Sequence, residues 1–192
     1  MIVITKGDVT EPLGDGIKII PHCCNSVGVM GAGIAGHIAQ KWPHVKDKYV
    51  EWFRGDLGEP FELGEIQIVK AVDNIYVCNI IGQKSCGDMQ FCGVKLPPVR
   101  YQSMEEGLWR LRERVVKRNI KYVDKPEEIC SIHAPLYCTA LAGGSLEKIY
   151  DMTDRIFGKA IQGHDIDFTF YAFSDKDFDD LEAIHNTYRE LV

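Results

Sequence analysis

Residues 17–42, IKIIPHCCNSVGVMGAGIAGHIAQKW, narrow the possible folds of this chain more than any other stretch. Ile17, Ile19 and Ile20 form a short β-branched run behind Gly14 and Gly16, the pattern of a buried strand. Small and polar residues follow, then Gly31-Ala32-Gly33, then an apolar periodic run through Ile34, Ala35, Ile38, Ala39 and Trp42 that reads as a helix. The first turn of that helix has almost no side chains. A helix start exposes unpaired N–H groups carrying partial positive charge, and small residues let an anion reach them. Strand, small-residue turn and helix together predict a cradle for a phosphate or diphosphate.

The rest of the chain alternates strands and helices around this unit. A first strand spans residues 1–6, and Gly7-Asp8-Val9-Thr10 with Pro12 make a turn. The helix after the cradle resumes beyond Pro43 through Tyr49 and Phe53, and a glycine-bearing loop fills 55–64. EIQIVKAVDNIYVCNIIG reads as two strands about Asp73-Asn74; residues 84–99 read as irregular, a loop long enough to serve as a functional rim. A helix from Ser103 to Arg118 follows, with Met104, Leu108, Leu111 and Val115 at helical spacing. The strand EICSIHAPLYC runs into a second glycine loop, ALAGGS, and Ser145 caps the next helix. IDFTFYAF is the last strand, and SDKDFDDLEAIHNTYREL the last helix, with acids in its first turn as the macrodipole favours. This order predicts an α/β fold: one domain over residues 1–192, three α/β/α layers and a mixed central sheet, with both glycine loops at the carboxyl ends of strands where ligands bind.

Composition bounds the chemistry. Apolar residues make up 45% and charged residues 26%, an ordinary balance for a globular domain, and the formal charge of −6 argues against sequence-independent nucleic-acid binding. The basic run from Arg110 to Lys121 falls on a helix and reads as a solvated face. No run reaches the ~18–20 apolar residues of a membrane span, and the start lacks a basic region followed by an apolar core, so no membrane partner and a cytoplasmic location are expected. The seven cysteines include no CxxC pair, and no metal site or cofactor is expected. Cys86 and Cys92 share a loop and are read as reduced thiols.

Gly31-Ala32-Gly33-Ile34-Ala35-Gly36 also matches GxGxxG, with Glu51 about where a ribose-binding acid would stand. That fingerprint follows its strand directly, whereas Asn25 to Met30 intervene here, so a nicotinamide-dependent oxidoreductase fits poorly. Six short motifs fit better: GDVT at 7–10, HCCNS at 22–26, MGAGIA at 30–35, NIIGQ at 79–83, PLYCTALAGG at 135–144 and TFY at 169–171. In this order the chain resembles the macrodomains, closest to the branch of ADP-ribose-1''-phosphate phosphatases and terminal ADP-ribose glycohydrolases with their bacterial and phage relatives.

The resemblance implies a domain that binds ADP-ribose or an ADP-ribosyl derivative, with ADP-ribosylated proteins as partners. Asp8, beside Val9, would accept from the adenine amino group and Tyr171 would stack on the ring. Gly31, Ala32, Gly33, Ile34 and Ala35 would grip one side of the diphosphate; Ala140, Leu141, Ala142, Gly143 and Gly144 would grip the other. Asn25 would bond the distal ribose. For catalysis the candidates are His22, at the expected mouth of its strand, with Asn25 and Lys84. His133 reads as a structural strand-end histidine. Glycohydrolase relatives pair a lysine with an aspartate in the second loop; Ala142 stands at that place, and no Asp or Glu occurs between residues 129 and 146. The expected activity is metal-independent hydrolysis of an ADP-ribose derivative, phosphate monoester first. The alternative is a module that captures ADP-ribose without turnover.

Overall fold

A computed structural model describes residues 1–91, 94–161 and 163–190. Cys92 lies outside the described residues. The core is a six-stranded sheet in the order β1-β8-β7-β2-β4-β3. Its strands are β1 (Ile2–Lys6), β2 (Ile17–Asn25), β3 (Ile66–Val72), β4 (Ile75–Gln83), β7 (Cys130–Pro135) and β8 (Phe168–Ala172). All neighbours pair in parallel except β3 and β4, which form an antiparallel hairpin about Asp73 and Asn74. The expected mixed sheet and α/β/α layering are both present.

The sheet is central because its middle strands have no polar face to give to water. β2 alternates between two cores: Ile17 and Ile19 meet α3 (Tyr101–Lys121) and α4 (Leu146–Phe157), while Ile20 meets α1 (Gly33–Lys41) and α2 (Pro43–Phe53). Parallel strands covered on both faces are mostly apolar, as this one is up to Pro21 apart from Lys18, whose buried side chain donates to Gly16 O. Helix α5 (Asp175–Glu190) packs on β1 and β8 and adds Leu181 to the larger core. Pro43 starts α2 at its first position, where its missing N–H costs nothing.

Two differences from the sequence reading bear on the cleft. β2 continues through His-Cys-Cys-Asn to Asn25, because His22, Cys23 and Cys24 pair with Asn79, Ile80 and Ile81 of β4. The stretch 84–99 holds a short hairpin, β5 (Met89–Phe91) with β6 (Val94–Leu96), where an irregular loop was expected. Among the described residues, no helix is long and apolar enough to cross a membrane.

Candidate functional site

The five parallel strands end together at Lys6, Ala172, Pro135, Asn25 and Gln83, and the segments that follow them enclose one cleft. It consists of two adjoining hollows of about 250 and 350 Å³ that share Gly33, Ile34, Pro135, Leu136, Thr139 and Ala140. The two small-residue turns therefore face each other at one end of the sheet. A crevice outside the carboxyl ends of parallel strands is the usual ligand position in such folds.

One wall is the start of α1. Its N-cap Ala32 offers no side-chain cap and the first turn has no acid, so the opening N–H groups of the helix are left for a ligand. Close packing holds this turn in place: a Cβ on Gly36 would lie 2.9 Å from the backbone of Gly31, whereas a Cβ on Gly31 itself meets nothing within 4 Å. The opposite wall is Ala140–Ala142, a single 3-10 turn. Cys138 and Ala140 both have left-handed backbone, with φ of 62° and 44°, a strained state for non-glycine residues that recurs at functional turns. Gly143 and Gly144 do not line the cleft as expected. The N–H of Gly144 donates to Cys138 O at 2.8 Å, and a Cβ there would lie 2.4 Å from that oxygen. Gly144 thus closes the loop from behind, and Gly143 sits against Pro97.

At the outer end, Asp8 and the buried Val9 line the larger hollow. Asp8 Oδ1 accepts from both the backbone N–H and the hydroxyl of Thr10, each at 2.8 Å. Burial pushes the Asp8 carboxyl upward, but these bonds and the nearby His37 and Lys41 outweigh it and hold the group below its ordinary value. Tyr171 also lines this hollow, but its ring is only 5% exposed and its hydroxyl is committed inward: it accepts from Leu13 N–H and faces His133 Nδ1 at 3.2 Å. The aromatic ring presented to solvent is Phe173, 84% exposed, where the strand gives way to the Ser174 cap of α5. This end of the cleft therefore has two rings, Tyr171 set in the wall and Phe173 exposed, and Phe173 was not among the expected site residues. Its signal was the capping Ser174, which ends the strand just before it.

The inner end corrects the catalytic candidates. His22 is fully buried in mid-strand and does not line the cleft. Its Nε2 contacts Asn79 Oδ1 at 2.6 Å; Asn79 Nδ2 donates to Gln67 Oε1, and Gln67 Nε2 donates to the Lys48 carbonyl of α2. The Cys24 thiol lies 3.7 Å from the other ring nitrogen. Burial lowers the imidazole to about 4, so it stays neutral and serves as a tie between β2, β4, β3 and α2. Asn25 does line the hollow, yet its side chain is engaged by its own turn: Oδ1 accepts from Val27 and Val29 N–H at 3.1 Å, and Nδ2 donates to Val29 O. Lys84 is exposed and outside the lining, next to Gln83, which is in it. His133 is buried and bonded to Ser131 at 2.9 Å and to Tyr171.

Four thiols, Cys23, Cys24, Cys86 and Cys138, line the inner hollow, and burial raises Cys24 and Cys138 well above the ordinary thiol value. Among the described lining residues there, no side chain carries a carboxylate, ammonium, guanidinium or imidazole. Among the described residues, no group of three or more His, Cys, Asp or Glu is placed to hold a metal.

No protein-family model and no curated protein matches the sequence. Solved structures do. A Bacteroides thetaiotaomicron protein of unknown function is 30% identical, with a TM-score of 0.74 over 89% of this chain and 97% of that one. A macrodomain protein from Streptomyces coelicolor is 28% identical, with a TM-score of 0.67 over 91% and 100% of the two chains. A mutant Oceanobacillus iheyensis macrodomain with ADPR is 18% identical, with a TM-score of 0.69 over 97% and 92%. With its sheet order, its cleft at the strand ends and these likenesses over about nine-tenths of its length or more, the chain has the macrodomain fold.

Proposed function

We propose that this macrodomain binds ADP-ribose, free or attached to a larger molecule, and acts by recognition. The observation that carries the reading is the cleft flanked by the uncapped start of α1 and the strained turn at Ala140. Backbone donors on both walls suit a diphosphate, since N–H groups at a helix start and in a tight turn bind anions without a cationic side chain. Asp8 Oδ2 takes the adenine amino group and Phe173 covers the base. The distal ribose lies between Asn25, Gln83 and the thiols. The likeness to an O. iheyensis macrodomain with ADPR is in keeping with this assignment.

Recognition takes precedence over phosphate-monoester hydrolysis because the inner hollow has no cation among its described lining to offset a terminal phosphate, and no acid or imidazole to move a proton. One observation favours a second reading, release of ADP-ribose from an ester or glycosidic link: Lys84 adjoins the lining Gln83, and its carbonyl accepts from Ser26 Oγ at 2.8 Å beside the Asn25 turn. Incubation with ADP-ribose-1''-phosphate and with ADP-ribosylated protein separates the readings. Tight binding without product supports recognition. Product that disappears in Lys84→Ala supports release, and phosphate produced by the wild type restores the phosphatase expectation.

A further inference from the structure

His37 brings a titratable side chain to the cleft beside Asp8. It stands on α1 one turn past Gly33, lines the outer hollow and is half-exposed. Its Nε2 lies 3.4 Å from Asp8 Oδ2 and 3.5 Å from Thr10 Oγ1. The Thr10 hydroxyl gives its hydrogen to Asp8 Oδ1 and accepts from Lys41 Nζ at 3.0 Å, so the proton on His37 Nε2 is directed to Oδ2. Oδ1 already carries two bonds, which makes Oδ2 the oxygen open to a ligand.

We propose that His37 determines base selectivity by sharing Asp8 Oδ2 with the ligand, so that the charge of the imidazole decides how freely that oxygen accepts a base amino group. The inference rests on the ADP-ribose reading. A neutral imidazole makes one long contact to Oδ2 and leaves room for the adenine amine. An imidazolium forms an ion pair with Asp8, which stays ionised, and the amine must compete with it. A base with a carbonyl in place of the amine meets the reverse: the bare carboxylate repels it, and a charged His37 offers a donor. Other charged groups facing this corner are Lys41, tied to Thr10 and Glu11, and Asp177 of α5 across the hollow. Asp177 is held by Ser174.

The test is calorimetric titration of wild type and His37→Gln with ADP-ribose and with its inosine counterpart, at about pH 7.5 and about pH 5.5. Glutamine keeps a neutral N–H donor and cannot take on a charge. Wild type is expected to lose about fivefold in ADP-ribose affinity on acidification, the size of an exposed ion pair, while its preference for adenine over hypoxanthine narrows. In His37→Gln both quantities are expected to change by less than about twofold. Equal pH profiles in the two proteins, both binding ADP-ribose, would overturn the role of His37 and leave the proposed function standing. Wild type that binds ADP-ribose at neither pH would overturn both.

Discussion

A histidine that looks poised for chemistry in the sequence turns out to hold three strands and a helix together. His22, Asn79 and Gln67 form a dry polar row in which each bond depends on the next. Removing the imidazole leaves Asn79 Oδ1 buried without its partner and opens a cavity, so His22→Ala is expected to destabilise the fold by about 2–4 kcal/mol in urea unfolding. A variant of unchanged stability would contradict that role. Gly31 presents the opposite case, because open cleft lies where its side chain would be. Gly31→Val is expected to keep its melting temperature within about 2 °C, since nothing in the fold is displaced. It should lose tenfold or more in ADP-ribose affinity, about 1.4 kcal/mol, and equal affinity would remove the first turn from the site. Residue-scale reading of the sequence put Asp8 and the Gly31 turn at the cleft, where the structure has them, because their placement follows from local sequence. It did not foresee the burial of His22 or the inward hydroxyl of Tyr171, whose partners Asn79 and His133 lie far away in the chain.

Among the elements, the alternation of strands and helices was legible because apolar periodicity reports burial directly. The inner half of β2 was not, since HCCN reads as polar loop until its pairing with β4 is known. The hairpin at 89–96 escaped because three-residue strands are too short to show alternation. The turn at Ala140–Ala142 has its own energetics: Ala140 at φ 44° carries strain that glycine would not. Ala140→Gly is therefore expected to gain up to about 1 kcal/mol in stability, a smaller figure than the strain itself because glycine is freer when unfolded. A loss of stability in chemical denaturation would show that the turn is unstrained.

For the molecule as a whole, two neutral buried histidines set the acid limit. Burial holds His22 and His133 down to about 4 in the fold, against about 6.5 in the unfolded chain. Between those values the unfolded state binds more protons, so their contribution is complete above about pH 6.5 and is lost as pH falls towards 4, by about 3 kcal/mol for each. Urea midpoints that stay level from pH 7 to 4.5, the range bounded by those titrations, would contradict the burial of both rings. The central claim is that two side-chain-poor turns grip a diphosphate from opposite walls of one cleft. Calorimetric titration of the wild type with ADP-ribose, ADP, AMP and NAD tests it most directly. The account predicts micromolar ADP-ribose, weaker ADP, and AMP weakest of these for want of a diphosphate. Affinity for AMP equal to that for ADP-ribose, or no binding of either, would contradict it.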